Sequence, residues 1–93
     1  MAAGSRKSLR TPGQQQLQKM LKEAREKANL PQTAVAEHMG LVQADISKIE
    51  SGERRLDVIE FIKLSEIIGL DINTAIESIR LKMDSTSIQP SNS

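Results

Sequence analysis

The stretch His38 to Gly52, HMGLVQADISKIESG, constrains this chain more than any other feature of its sequence. Gly40 stands between two segments that both carry helical spacing, with Val35, Ala36 and Met39 before it and Leu41, Ile46 and Ile49 after it. A glycine at such a junction supplies the positive φ that a tight turn needs. Ala36, four residues earlier, is small enough for two helices to touch at a steep crossing, and Ile46 follows six residues after the glycine. Val35, Met39, Leu41, Ile46 and Ile49 then plug the corner, while Gln43, Ala44, Ser47 and Lys48 are left on the outer face of the second helix.

The rest of the chain reads as helices of similar size. Thr11-Pro12 suits a helix start, with threonine as N-cap and proline at the first position, although Gly13 leaves a start nearer Gln14 equally open. Leu17, Met20, Leu21, Ala24 and Ala28 follow at helical intervals, and Asn29 is a left-handed cap. Pro31 opens the second helix, and the third runs over about Val42–Ser51, ended by Gly52. Asp57 caps a fourth helix, with Glu60 completing a near capping box and otherwise an exposed acid. Phe61, Leu64 and Ile68 line its inner face and Gly69 ends it. Asp71 caps a fifth helix carrying Ile72, Ala75, Ile76, Ile79 and Met83. No strand pattern or internal repeat occurs. The expected fold is all-α, five short helices over residues 11–83, between a disordered basic arm (1–10) and a disordered polar tail (84–93).

Composition removes several function classes. In 93 residues there is no cysteine, which excludes disulfides and thiolate metal sites and fits a reducing cytoplasm. A single histidine, His38, argues against a histidine metal site or a Ser–His–Asp triad. No cofactor or metal is expected, and no enzyme activity. No apolar run approaches the roughly 18 residues of a membrane span, and no signal-peptide core follows Met1. The one aromatic, Phe61, gives little for stacking single-stranded bases. Charge is uneven: Arg6, Lys7 and Arg10 stand in an acid-free N-terminus, while residues 14–93 hold 10 bases and 12 acids. Nucleic-acid binding would therefore use a local patch plus the arm.

The Ala36–Gly40–Ile46 corner is that of a helix-turn-helix, in which the second helix lies in the DNA major groove and the first crosses the backbone. The segment LPQTAVAEHMGLVQADISKIESGERRLDVIEFIKLSEIIGLD, Leu30 to Asp71, resembles the phage-repressor and Cro type of helix-turn-helix regulator. The matched positions are Leu30, Gln32, Ala36, Gly40, Ile46, Ser47, Ile49, Glu50 and Gly52, and with the first helix the likeness covers roughly 70 residues, most of the 11–83 region. It implies a repressor-like five-helix DNA-binding domain. Pro31, Asp45 and Glu53 depart from the family's usual residues.

The resemblance also implies roles. Gln43, Ala44, Ser47 and Lys48 match base-reading positions. Gln32 stands where the family clamps a phosphate and sometimes supports a base contact, and Ser51, Arg54 and Arg55 stand where it meets the DNA backbone. Arg25 and Glu50 match an internal ion pair, structural along with Ala36 and Gly40, the alternative being Arg25 on a DNA phosphate. The chemistry of the outer face agrees: glutamine suits adenine N6/N7, lysine suits guanine O6/N7, and the alanine methyl suits a thymine methyl. An ordinary solvated face is the alternative for these side chains. Arg6, Lys7 and Arg10 are a candidate DNA-contacting arm or only a solubilising tail.

Ile59, Ile62, Ile67, Ile76, Ile79 and Met83 exceed the needs of one core stripe. Some would pack the fourth helix on the fifth. Ile76, Ile79 and Met83 are the candidate dimer interface, since operators read by this family tend to be two-fold. The leading expectation is a cytoplasmic, dimeric, sequence-specific regulator of double-stranded DNA, of repressor type, with no membrane contact and no small-molecule effector evident. The rival is a protein-interaction adaptor, antitoxin-like, using the fourth and fifth helices.

Overall fold

The structure, a computed structural model, describes residues 10–84. They form α1 (Pro12–Lys27), α2 (Gln32–Met39), α3 (Gln43–Ser51), α4 (Val58–Ile68) and α5 (Ile72–Asp84). No strand occurs among the described residues, so the chain is all-α. Arg6 and Lys7, with the rest of residues 1–9, and residues 85–93 lie outside the described residues.

Caps set the helix ends. The Thr11 hydroxyl oxygen accepts from the Gln14 N–H at 3.3 Å, and Pro12 takes the first helical position, where its missing N–H is no loss. The start is therefore the earlier of the two the sequence allowed. Asn29 adopts φ 60° just past α1. Pro31 is the N-cap of α2, outside the helix, and offers no side-chain cap. Gly40 closes α2 at φ 71°; a side chain there would touch nothing within 4 Å, so glycine is required by the turn alone. Asp57 and Glu60 cap each other's backbone: the Glu60 N–H donates to Asp57 at 2.7 Å and the Asp57 N–H to Glu60 at 3.2 Å.

Leu21, Val35, Ala36, Ile46, Ile49, Leu64 and Ile68 form one buried cluster drawn from α1 to α4. Leu17, Ala24, Leu30, Met39, Leu41, Leu56, Ile67 and Leu70 pack around it. Burying each large aliphatic side chain contributes about 1.5–3 kcal/mol. Ala36 sits buried between α2 and α3, as the crossing requires. Ile67, counted in the apolar surplus by sequence, is part of this packing. Ser65 is also fully buried, and its Oγ has no hydrogen-bond partner.

The fifth helix corrects an expectation. Its principal partner is α1, not α4. The reason is Gly13, which is buried in the first turn of α1: a Cβ there would lie 3.0 Å from Met83 Cγ and 3.5 Å from Ile79 Cγ2. The missing side chain lets α5 close on α1. Phe61 also differs from expectation. It is half-buried at the edge, lining an open apolar hollow of about 150 Å³ with Leu17, Leu56, Asp57, Val58 and Ile79.

Candidate nucleic-acid interface

The two faces of α3 differ in kind. Ile46 and Ile49 are buried in the core, while Gln43, Ala44 and Lys48 are exposed and Ser47 is half-buried. Core packing thus fixes the rotation of the helix, and the rotation turns the polar edge outward. The helix begins at an N-cap, Val42, that has no side-chain acceptor. Asp45 compensates, its carboxylate accepting from the Val42 N–H at 3.3 Å.

Asp45 also stands 3.9 Å from the Arg54 guanidinium, which offsets its charge at the front of α3. Arg54 in turn forks onto Glu60, with Nη1 3.2 Å from Oε1 and Nη2 3.0 Å from Oε2. The hydrogen bonds from Arg54 hold the Glu60 carboxyl below its ordinary range, and the same contact raises the Arg54 pKa against the opposing effect of burial. Glu60 is thus half-covered and paired, not the exposed acid that the sequence suggests. The expected phosphate ligand Arg54 is engaged within the chain. Arg54 and Glu60 face each other across a loop, which leaves no periodic signal in sequence.

Behind α3 lies the Arg25–Glu50 pair, as the family likeness implies. Arg25 Nε donates to Glu50 Oε2 at 2.6 Å and Nη2 to Oε1 at 3.2 Å, while Nη1 donates to the Leu30 carbonyl at 2.8 Å. The Glu50 hydrogen bond raises the Arg25 pKa, although burial opposes it. Gln32 joins from the first turn of α2, its Nε2 donating to Glu50 Oε1 at 3.0 Å. Gln43 Nε2 donates to Gln32 Oε1 at 2.5 Å. Four side chains from three helices are therefore linked from the interior to the outer edge of α3. The family likeness gave Gln32 a phosphate role and, at times, support of a base contact; the bond to Gln43 depends on how α2 crosses α3.

Of the remaining site residues, Ser51 is exposed, and its hydroxyl donates within hydrogen-bond distance of both the Lys48 carbonyl and the Glu53 carboxylate. Arg55 and Arg10 are exposed. Ile76 and Met83 are exposed, while Ile79 is half-buried near Gly13. Val58 at 70% and Ile59 at 64% exposure add an apolar surface on α4. Ile59 belonged to the surplus already noted, but Val58 did not. Among the described residues no helix is long and apolar enough to cross a membrane.

A family model described as helix-turn-helix matches residues 21–74, more than half of the chain and all of α2, α3 and α4. No curated protein sequence matches significantly. A matched segment that contains the α2–Gly40–α3 corner, with the polar edge of α3 turned out, has one consequence for classification: the chain belongs to the helix-turn-helix family of phage-repressor/Cro-like regulators, which are DNA-binding proteins.

Proposed function

We propose that this protein is a sequence-specific repressor that binds double-stranded DNA as a homodimer and reads the major groove with α3. The observation that carries this reading is the division of α3 into a buried Ile46/Ile49 face and an exposed Gln43/Ala44/Lys48 face. Gln43 pairs with adenine, Lys48 donates to guanine, and Ala44 meets a thymine methyl, with Ser47 on the same edge; each good contact discriminates by about 1–3 kcal/mol. Arg55, Ser51 and the uncapped N-terminus of α2 at Gln32 serve the phosphates, which position the protein without reading sequence. Arg54 shares its charge between Glu60 and the backbone of bound DNA. Arg6, Lys7 and Arg10 add positive charge for the DNA backbone.

Selection of bound duplexes from a random pool, followed by gel shifts at physiological salt, tests the reading. Gln43→Ala and Lys48→Ala are expected to relax base preference at separate positions. Arg55→Ala is expected to weaken all duplexes alike and to flatten the salt slope by about one unit. Equal affinity for selected and random DNA would refute sequence-specific binding.

A second reading draws on the exposed apolar side chains of α4 and α5, Val58, Ile59, Ile62, Ile76 and Met83. It makes these helices a docking face for another protein, with α3 dispensable. Binding to a co-purified partner that survives Gln43→Ala but not Ile59→Asp would favour it.

A further inference from the structure

An arginine guanidinium has two edges on which paired N–H groups can hold an anion: the end, from Nη1 and Nη2, and the side, from Nε and Nη2. In Arg25 the side edge is closed, since Nε and Nη2 donate to Glu50 at 2.6 and 3.2 Å. In Arg54 it is the end edge that is closed, by Glu60 at 3.2 and 3.0 Å. Nη1 of Arg54 also donates to the Arg55 carbonyl at 3.3 Å. The side edge of Arg54 faces Asp45 instead. There Nε is 3.9 Å from Oδ1, close enough for attraction and too far for a hydrogen bond.

That gap is held open from both sides. Asp45 is tied to the start of α3 by the Val42 N–H, which donates to its Oδ2 at 3.3 Å. Arg54 is tied to the first turn of α4 by Glu60. Neither can advance on the other, and the two side chains remain 33% and 30% exposed, so the edge between them is open to an anion from solvent.

We propose that Asp45 is a stand-in for a DNA phosphate: in the free protein its carboxylate faces the side edge of Arg54, and on binding a backbone phosphate takes the Nε and Nη2 hydrogens in its place. This rests on the reading of α3 as the major-groove helix with Arg54 beside the DNA backbone. The exchange makes Asp45 an affinity-setting residue. Its charge opposes the phosphate that Arg54 receives, and it does so on every duplex, because a phosphate contact carries no sequence information.

The test is a double-mutant cycle read by gel shift on selected and random duplexes over a range of salt. Asp45→Asn removes the charge and keeps an oxygen that can accept from the Val42 N–H. It is expected to bind every duplex about fivefold tighter at physiological salt and to steepen the salt slope by about one unit, with base preferences unchanged. In an Arg54→Gln background the same substitution is expected to gain about twofold or less, from the screened repulsion alone. Arg54→Ala serves as the second neutral background if circular dichroism shows Arg54→Gln to be unfolded.

Plain shielding of Asp45 by Arg54 predicts the opposite order: the gain would be larger once the shield is removed. A gain in the Arg54→Gln background equal to or above that in the parent protein therefore overturns the proposal. So does a changed preference at one base pair, which would make Asp45 a base contact. If Arg55→Ala flattens the salt slope but Asp45→Asn does not tighten binding, the DNA reading stands and the phosphate stand-in fails. If the parent protein binds no duplex, both fall.

Discussion

At the residue scale, the least expected group is Ser65. Its hydroxyl is enclosed by the aliphatic core and has no partner, while its backbone carbonyl accepts from the Leu70 N–H at 2.9 Å. An unpaired buried hydroxyl costs about 1–3 kcal/mol. Ser65→Ala is therefore expected to stabilise the protein by about 1 kcal/mol, seen as a higher urea midpoint with an unchanged slope. A lower midpoint would mean that the hydroxyl is paired after all. Periodicity found Leu64 and Ile68 but not Ser65, because a polar residue next to a core position carries no sign of its own burial. The Arg25–Glu50 pair was legible only through family likeness, since two charges 25 positions apart have no local signature. The Gln32–Gln43 bond was legible only through the same likeness, in which the position of Gln32 sometimes supports a base contact, since glutamine is at home on any solvated surface.

Between helices, the decisive contacts are the ones that hold α3 at its angle. Asp45, Arg54 and Glu60 form a charged strut from the front of α3 to the first turn of α4, while Asp57 closes that turn. The strut implies a pH dependence. The folded-state pKa of Glu60 lies below its ordinary value of 4.5, chiefly through the Arg54 hydrogen bonds. The carboxylate is thus bound more tightly by the folded protein than by the unfolded chain. Its contribution is complete above about pH 4.5 and is lost as pH falls through the lower folded value. Thermal melts of the parent protein and Glu60→Gln from pH 7 downward are expected to show a gap that narrows only below that point. Asp71, also lowered by its bonds to Thr74, is common to both proteins and cancels in the comparison. A gap that stays constant into strong acid would assign the effect to packing. The capping box itself was readable as Asp57 and Glu60 three apart, whereas Arg54 as a third member was not, because a loop residue has no phase relative to the helix it approaches.

At the scale of the whole molecule, the outward edge of α3 and the exposed apolar side chains of α4 and α5 make two different surfaces on one small domain. Two-fold pairing through the second would set two α3 helices about 34 Å apart, one turn of DNA. Ile76, 41% exposed, is the cleanest probe, since Ile79 and Met83 also pack at Gly13. Ile76→Asp is expected to keep the helix content, to give a monomer by sedimentation whose melting temperature no longer depends on protein concentration, and to weaken binding to a two-fold duplex far more than to a half-site. A mutant that still sediments as a dimer would move the interface elsewhere. The number of helices, the Thr11 and Asp57 caps, the Gly40 corner and the family could be read from the sequence, because these depend on residues within a turn or two of one another. Tertiary structure alone decided that α5 lies on α1, that Arg54 is held by Glu60, and that Gln43 is tied through Gln32 to a buried ion pair. Those depend on which helix faces which, and side-chain reach across a crossing is set by packing density and helix rotation, quantities that local spacing does not encode.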